Sequence, residues 1–428
     1  MTSASTRELA RSIFEAGVAA ALPGPGTRRA LGDAPAPRSP VHILALGKAA
    51  HSMAGAAVDR LRALGAEPAG GVIVGTTARE VPHPALASVA GDHPVPGTAS
   101  ARAAAALGAA ARAIAGDAEC WVLLSGGTSS LVAAPVDGVA DADLAALFTA
   151  LHASGLDITA ANRVRKQFLR WGAGRLAAVL APARVRVLIA SDVAGDDPAI
   201  IASGPCSPDD TPRAEVAGCL AALARRRLLD ASAAVRLESV LRTMAPPLRV
   251  GDPAFDQVFT SIVARVDDAI AGAVAAARAA GFESHAAPRH LSGEARTAAE
   301  SIVAATASGP RAARRCTVYG GETTVSLDGT PIAGGRSQEL ALAAARGLAG
   351  RGEITLLAAG TDGRDGPTDA AGAVVDGTTW SSIGAAGRDP DADLAGHRSH
   401  AALDAAGALV RTGPTGTNVG DLVIVLEE

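Results

Sequence analysis

Short aliphatic runs alternate with longer stretches in which apolar residues recur at helical spacing. The runs at 41–46, 71–74, 120–124, 185–190 and 354–359 predict buried strands, and a last run at 422–426 predicts another. Helices are predicted over 5–22, 48–64, 98–115, most of 141–181, 265–281, 292–308 and 337–348. Strands that alternate with helices favour a parallel sheet with crossover helices. The pattern therefore predicts an α/β fold.

Other segments break this alternation. A loop rich in proline and histidine is predicted over 81–97, and the segment 317–327 with the Asp328-Gly329 turn predicts a β-hairpin, which is typical of a mixed sheet. The stretch 205–257 reads as helical, with prolines at 246 and 247. We expect two domains, 1–245 and 246–428, allowing for a chain end that packs back on the first domain.

Composition narrows the functional classes. The chain has 428 residues, of which 48% are hydrophobic and only 2% aromatic, with a net charge of −4. The sequence has no basic stripe with interleaved aromatics, so nucleic-acid binding is not expected. It also has no run of about eighteen apolar residues, so a membrane span is not expected. The amino terminus lacks the pattern of a secretory signal, and the four cysteines are scattered, which indicates reduced thiols in a cytoplasmic protein.

Polar loops follow four of the predicted strands. In open α/β sheets, ligands bind beyond the carboxyl ends of the strands, so these loops predict a site. They carry Gly47-Lys48, then Ser125-Gly126-Gly127-Thr128-Ser129-Ser130, then Ser191-Asp192, then Thr361-Asp362-Gly363-Arg364-Asp365. Any one of these loops is also compatible with an ordinary turn.

The SGGTSS loop, residues 125–130, has the composition of an anion cradle. Its glycines allow backbone N–H groups to face a ligand, its hydroxyls add donors, and a following helix offers its positive end. The alternative is a serine-rich helix cap. The sequence contains no GxxxxGK[ST] motif, so the loop is not a Walker A loop.

The cations are distributed unevenly. Of 39 basic residues only Lys48 and Lys166 are lysines, which suggests that a compact ammonium is needed at these positions. Asn162 is predicted to open a helix that carries Arg163, Arg165 and Lys166, for which a solvated face is the alternative. Gly335 precedes Arg336 at another predicted helix start, where the guanidinium is placed to bind a carboxylate or phosphate.

Three aspartates on the strand-end loops suit metal-assisted phosphoryl transfer. Asp192, Asp362 and Asp365 offer carboxylates of the kind that hold Mg²⁺ together with phosphate oxygens or orient an attacking hydroxyl. Aspartate is also a frequent turn former, so some of the three are expected to be structural. Among the histidines, His93 in the segment GDHPVPG (91–97) is the candidate for a role at the site, with a structural role as the alternative.

As a set, these segments resemble the glycerate 2-kinase family, in particular the class with a MOFRL domain in its second half. The matching segments are ALGKAA (45–50), GDHPVPG (91–97), LLSGGTSSL (123–131), ANRVRK (161–166), SDVAGDDPAIIASGP (191–205), GGETTVSL (320–327), GGRSQELAL (334–342), AAGTDGRDGPTDAAGAVVDG (358–377) and TGPTGTNVGDL (412–422).

The resemblance implies a Rossmann-like parallel-sheet N-terminal domain, a smaller α/β C-terminal domain with a mixed sheet, and a deep cleft between them. It implies ATP and Mg²⁺ or another divalent cation, and conversion of D-glycerate to 2-phosphoglycerate. Lys48, Arg336 and Asp192 are then the expected catalytic residues. Ser125, Gly126, Gly127, Thr128, Ser129, Asn162, Lys166, Gly335, Thr361, Asp362 and Asp365 are expected to bind substrate or nucleotide, and Asp192 and Asp362 the metal.

Several alternatives stay open at this point. The string Gly172-Ala173-Gly174-Arg175-Leu176-Ala177 formally matches a dinucleotide motif and would suit an NAD-dependent hydroxypyruvate reductase, although it follows a predicted helix rather than a strand. A non-catalytic nucleotide or sugar-phosphate sensor would use the same glycine cradle. The residues alone do not distinguish phosphorylation at C2 from C3, nor one small hydroxy acid from another, and assembly as a homodimer remains an option.

Overall fold

The chain forms two compact α/β units. The computed structural model describes residues 3–32, 36–37, 39–156, 158–307, 314–326 and 333–428. The parallel-sheet unit comprises Pro23–Ala264, and the mixed-sheet unit comprises Met1–Leu22 together with Arg265–Glu428. No helix in these described ranges is long and apolar enough to cross a bilayer.

Six parallel strands build the sheet of the first unit. They are β1 (Val41–Leu46), β2 (Pro68–Gly75), β3 (Leu86–Ala90), β4 (Glu119–Leu124), β5 (Arg184–Ala190) and β6 (Val258–Ala264). Their order is β3-β2-β1-β4-β5-β6, and each neighbouring pair is parallel. This order reverses direction between β1 and β4, as in Rossmann-like sheets.

Helices cover the parallel sheet and form a second core beside it. They are α2 (Pro23–Gly32), α3 (Ala50–Ala63), α4 (Thr98–Arg112), α5 (Thr128–Leu131), α6 (Asp141–Ala153), α7 (Ile158–Arg165), α8 (Arg175–Leu180), α9 (Arg213–Arg225) and α10 (Ala231–Thr243). One core joins β1, β2, β4 and β5 to α4 and α8, and a separate core joins α6, α7, α9 and α10. Both are built mainly from aliphatic side chains, as the scarcity of aromatics requires.

The second unit is a mixed sheet with helices. Its strands are β7 (Glu283–Ala286), β8 (Arg315–Gly321), β9 (Ile354–Gly360), β10 (Gly372–Asp376), β11 (Leu409–Val410) and β12 (Asp421–Glu427), in the order β11-β10-β9-β12-β8-β7. Only β7 and β8 are parallel; the other pairs are antiparallel. The predicted α/β class, with one parallel and one mixed sheet, is confirmed.

The helices of this unit include the amino terminus of the chain. They are α1 (Ser3–Ala20), α11 (Val266–Ala279), α12 (Ala295–Ala307), α13 (Arg336–Leu348), α14 (Thr379–Ala385), α15 (Pro390–Ala395) and α16 (Ser399–Ala405). Helix α1 packs closely on α11, since a Cβ at Gly272 would lie 2.4 Å from Ala20 Cβ. Arg7 of α1 also pairs with Asp376 at 2.7 Å.

The bounds of the units differ from the expected division at residue 245. Strand β6 pairs in parallel with β5, so the chain remains in the first unit as far as Ala264. The first 22 residues belong to the second unit because α1 packs on α11, and the last strand, β12, lies inside the mixed sheet rather than returning to the first unit.

Local predictions fail where strands lie outside the aliphatic runs. The predicted loop 81–97 contains β3, and the polar glycine loop after β9 leads into β10. In place of a hairpin, β8 pairs with β12 and β7, and the predicted Asp328-Gly329 turn lies outside the described residues. Asn162 lies inside α7, which begins at Ile158, so it does not open a helix as predicted.

Candidate functional site

The loops after β1 and β4 lie side by side where the strand order reverses. Lys48 N donates to Gly126 O at 3.0 Å, and Ala49 N donates to Ser125 Oγ at 3.0 Å. Helix α3 begins two residues after Lys48, at Ala50. In sheets of this order the reversal point opens a crevice at the carboxyl ends of the strands, where ligands bind.

The SGGTSS loop presents backbone donors rather than hydroxyls. Ser125 Oγ accepts a hydrogen bond from Ala49 N and donates one to Leu46 O. Thr128 Oγ1 donates to Ser125 O at 2.8 Å. Within the described ranges, the N–H groups of Gly126, Gly127 and Thr128 have no acceptor. Because α5 is only four residues long, its dipole contributes little, and the open N–H groups are what could bind an anion.

Asp192, after β5, lies against this loop. A Cβ at Gly126 would lie 2.1 Å from Asp192 Oδ2, so only glycine allows the loop to approach the carboxylate. Burial raises the pKa of Asp192, and the positive charge of Lys48 opposes this shift. The carboxylate is therefore placed beside the open N–H groups and near a cation.

Lys48 and His93 border the same loop. A Cβ at Gly127 would meet His93 Cδ2 at 3.1 Å and Lys48 Cγ at 3.4 Å. The Lys48 side chain is exposed and has no ion-pair partner in the described part of the chain. Burial is the largest cause that lowers the pKa of His93 to about 4. The charges of Lys48 and Arg165, and then His152, are the smaller causes of this pKa shift. His93 is therefore neutral at pH 7.

The structure does not bring Lys166 to this loop. Its side chain is only 2% exposed, and Nζ forms an ion pair with Asp209 Oδ1 at 2.6 Å and a hydrogen bond with Ala199 O at 3.2 Å. Asn162 is also buried, and its Nδ2 donates to Ile200 O at 3.2 Å. Both side chains hold the segment after β5 in place.

Ser203 is a neighbour of the loop that the sequence did not indicate. Its Oγ lies 2.6 Å from Ser129 Oγ. Ala202, Ser203 and Gly204 have φ of 55°, 66° and 58°, a run in the left-handed region that is costly for the two residues with a Cβ. No pattern in the sequence marks this run, because the surrounding packing imposes it.

In the mixed-sheet unit, two carboxylates bind Arg336. Its Nε and Nη2 donate to the two oxygens of Asp421 at 2.6 and 3.0 Å, and its Nη1 donates to Glu322. Burial opposes the charged form, but Asp421, Glu322 and Asp365 outweigh it and raise the pKa of Arg336. Glu322 and Asp421 were not predicted as site residues, although both lie in the segments that carry the family resemblance.

Asp365 caps the helix that Arg336 begins. Its carboxylate accepts Ser337 N at 3.2 Å and Gln338 N at 2.8 Å. A Cβ at Gly335 would lie 2.2 Å from Asp365 Oδ1, so this approach requires glycine. Burial, together with Asp421, raises the pKa of Asp365 to about 6 against these hydrogen bonds. The carboxylate positions α13 rather than facing outward.

Of the other two predicted side chains of this unit, one is buried in the fold and one is partly exposed. Thr361 is fully buried, and its Oγ1 donates to Gly420 O at 2.6 Å. Asp362 is partly exposed, and one of its oxygens accepts Arg364 N at 2.9 Å. Thr361 therefore serves the fold, whereas the other carboxylate oxygen of Asp362 has no hydrogen-bond partner among the described residues and is left for a ligand.

The described residues form neither a preformed metal site nor a disulfide. Among the residues that the structure describes, no group of three or more histidine, cysteine, aspartate or glutamate side chains is arranged to hold a metal ion. The four cysteines are free. A metal at Asp192 or Asp362 would therefore be completed by water or other oxygen ligands.

Two family models match the chain. A domain of unknown function, DUF4147, matches residues 9–239, and the MOFRL family matches residues 315–421. Together they cover most of both units.

Whole-length relatives carry two different names. The D-glycerate 2-kinase of Thermotoga maritima is 35% identical over 428 residues, which cover 99% of this chain and 98% of that protein. A putative hydroxypyruvate reductase of Agrobacterium vitis is 37% identical and covers 99% of this chain and 94% of its own length. A crystal structure of glycerate kinase from Thermotoga maritima superimposes with a TM-score of 0.84 at 33% identity, covering 99% of this chain and 100% of that one.

Proposed function

The chain belongs to the glycerate kinase family in which a DUF4147 domain precedes a MOFRL domain, and on this premise we propose that it phosphorylates D-glycerate. The reaction transfers the γ-phosphoryl group of ATP to the C2 hydroxyl and yields 2-phosphoglycerate and ADP. It is a phosphotransferase reaction with an alcohol as acceptor.

The observation that carries this proposal is the arrangement at the strand-order reversal. Three kinds of group meet there: backbone N–H groups without acceptors at Gly126 to Thr128, an ammonium at Lys48 and a carboxylate at Asp192. Phosphoryl transfer needs donors for the phosphate oxygens, a cation for the developing charge and an acceptor for the attacking hydroxyl. The site supplies one group for each need.

Lys48 and Asp192 take the two polar roles. The exposed ammonium of Lys48 is on a flexible stem and neutralises charge on the phosphoryl group as it moves. Asp192 accepts the hydrogen bond of the C2 hydroxyl and orients it for attack. Its raised pKa makes the carboxylate a better proton acceptor than an ordinary aspartate.

Arg336 is proposed to act in the same reaction from the mixed-sheet unit. Asp421 and Glu322 hold its guanidinium in one orientation, which preorganises it for a phosphate or carboxylate oxygen. Asp365 acts indirectly, because it fixes the first turn of the helix on which Arg336 lies.

A magnesium ion that accompanies ATP fits this chain. Mg²⁺ usually keeps several waters and takes only one or two protein carboxylates besides phosphate oxygens, so no preformed cage is needed. Asp192, in the parallel-sheet unit, and Asp362, in the mixed-sheet unit, are each proposed as a carboxylate that could hold it. The ion would supply neutralisation of the phosphate charge, while the protein groups position both substrates.

Hydroxypyruvate reduction is the competing activity, since a relative of similar identity has that name. The glycine string at 172–174 leads into α8 and follows a short 3₁₀ turn rather than a strand. Arg175 Nη1 donates to the carbonyls of Lys166, Leu169 and Gly172. These hydrogen bonds hold the backbone of the turn around the Arg175 side chain. The segment lacks the strand–turn–helix context in which such a motif binds a dinucleotide.

Two assays with the purified chain separate the activities. The proposal predicts ADP release that requires both ATP and D-glycerate, and no oxidation of NADH or NADPH by hydroxypyruvate. Reduction of hydroxypyruvate without glycerate-dependent ADP release would overturn it. ATP binding that is never followed by ADP release would indicate a sensor instead.

A further inference from the structure

Arg165, the last residue of α7, has an unusually fixed side chain. Its Cζ lies 4.5 Å from the centroid of the Phe148 ring, and Nη1 donates to Asn162 Oδ1 at 3.0 Å. Asn162 is itself fixed, because its Nδ2 donates to Ile200 O. The guanidinium is thus held on its face by an aromatic ring and on one edge by an amide.

The rest of this guanidinium has no partner. Within the described ranges, no carboxylate pairs with Arg165, and neither Nε nor Nη2 has an acceptor. Nε is buried, while the residue as a whole is only partly buried. Burial lowers the pKa of Arg165 to about 10. An arginine that loses water without gaining a counter-ion is costly for a folded chain, so its position calls for an anionic ligand.

The neighbour two residues earlier shows the ordinary alternative. Arg163 is half-exposed and forms an ion pair with Glu215 at 3.3 Å. Both arginines lie on α7, but only Arg165 faces inward without an acid. The difference follows from helical geometry, since residues two apart point in different directions.

Arg165 is linked to the SGGTSS loop through His93. Its charge and that of Lys48 both contribute to lowering the pKa of His93, and the His93 ring lies against Gly127. The two cations therefore lie near one histidine at the edge of the loop. Lys48 has a flexible stem that can follow a moving phosphoryl group, whereas the fixed fork of Arg165 suits an anion that stays in place.

We infer that Arg165 binds the carboxylate of the hydroxy-acid acceptor, with Phe148 and Asn162 as positioning residues. The inference rests on the proposed function and extends it, because it names the group that selects the acceptor. An acceptor with a carboxylate beside its hydroxyl would be bound through Nη2 of Arg165. A neutral polyol such as glycerol would make no such contact.

Steady-state kinetics of Arg165→Gln and Arg163→Gln test this directly. A hydrogen bond to a charged group is worth roughly 1.5–3 kcal/mol, so Arg165→Gln should raise KM for D-glycerate about ten- to hundredfold. KM for ATP should stay within about twofold, as expected for a residue that does not touch the nucleotide, and Arg163→Gln should match the unmodified chain on both substrates. Turnover of glycerol, measured as kcat/KM, should be the same with and without Arg165.

Three outcomes would overturn the inference: an unchanged KM for D-glycerate, a rise of equal size for ATP, or an equal loss with glycerol. Thermal unfolding checks that Arg165→Gln is folded. If it is not, Arg165→Lys replaces it, and this charge-retaining variant should raise KM for D-glycerate by less than tenfold.

Calorimetric titration separates this inference from the proposed function. If the unmodified chain releases no ADP with D-glycerate, the proposed function fails, but D-glycerate can still be titrated into the three proteins. Binding that Arg165→Gln loses and Arg163→Gln retains supports the carboxylate site. Absent binding, or equal binding in all three, rejects it.

Discussion

At the scale of single residues, packing separates side chains that look alike in the sequence. The two lysines of the chain were both expected at the site. Lys48 is exposed beside the SGGTSS loop, whereas Lys166 is buried against Asp209. The rarity of lysine drew attention to both positions, but only the fold distinguishes a cation without an ion-pair partner among the described residues from one that has a partner.

The two lysines therefore predict opposite phenotypes. Lys48→Ala should lower kcat/KM by at least about a hundredfold without loss of stability, because it removes one charge contact from a preorganised site. Lys166→Ala should lower the free energy of unfolding by about 3–5 kcal/mol, because it leaves Asp209 buried without a counter-ion. Kinetics and urea denaturation of both variants provide the comparison. A stable Lys166→Ala variant with a raised KM would return Lys166 to the binding site.

Asp365 predicts a pH dependence of stability. Its pKa is raised from an ordinary 3.8 to about 6, so the folded chain holds this proton more tightly than the unfolded chain. The resulting stabilisation is complete below pH 3.8 and is lost as the pH rises through about 6. At about 1.4 kcal/mol per pKa unit, the change amounts to roughly 3 kcal/mol.

Asp365→Asn should remove this dependence while leaving an oxygen to cap α13. The free energy of unfolding, measured from pH 4 to pH 7, should therefore fall more steeply with pH in the unmodified chain than in the variant. Parallel curves for the two proteins would show that Asp365 titrates normally.

At the scale of elements, the strands with continuous aliphatic runs were predicted well. Strand β1 has the predicted bounds, and β4, β5, β9 and β12 are within one residue of them. Buried strands read clearly because both of their faces need apolar side chains. Strands β3 and β6 were missed because they lie at the edges of the parallel sheet, where several of their residues are exposed.

Replacing glycine by alanine should have opposite effects at the crossing of α1 and α11 and on an open face of α9. Gly272 lies in α11, where a Cβ would lie 2.4 Å from Ala20 Cβ, whereas a Cβ at Gly218 in α9 would meet nothing within 4 Å. Gly272→Ala should destabilise the chain by about 1–3 kcal/mol through overpacking. Gly218→Ala should stabilise it by about 0.5–1 kcal/mol through helix propensity. Denaturation midpoints measure both, and stabilisation by Gly272→Ala would contradict the close packing of α1 on α11.

At the scale of the whole molecule, the strand-end loops predicted which residues lie close together but not the role of each side chain. Lys48, Asp192 and the SGGTSS glycines lie together as the carboxyl-end rule requires. Thr361 and Asp365 lie on the expected loop, yet their side chains serve the fold. Loop sequence does not say which polar group will find a partner inside the protein, because that depends on segments distant in the chain.

The proposed function also gives both Lys48 and Arg336 a part in phosphoryl transfer. If Lys48 and Arg336 stabilise the same transition state, the double variant Lys48→Ala/Arg336→Ala should lose less kcat/KM than the product of the two single losses. Arg346→Ala is the matched control, because this arginine is exposed and, among the described residues, its ion-pair partner is Asp391 at 3.2 Å. Strictly multiplicative losses would indicate that the two residues act independently.

Phosphorus NMR of the product formed from ATP and D-glycerate tests the central claim most directly. Phosphate on C2 is coupled to a single methine proton and gives a doublet in the proton-coupled spectrum, whereas phosphate on C3 is coupled to a methylene group and gives a triplet. The account predicts the doublet of 2-phosphoglycerate, growing as the γ-phosphate signal of ATP declines. A triplet would contradict transfer to C2, and a spectrum in which only inorganic phosphate grows would contradict kinase activity itself.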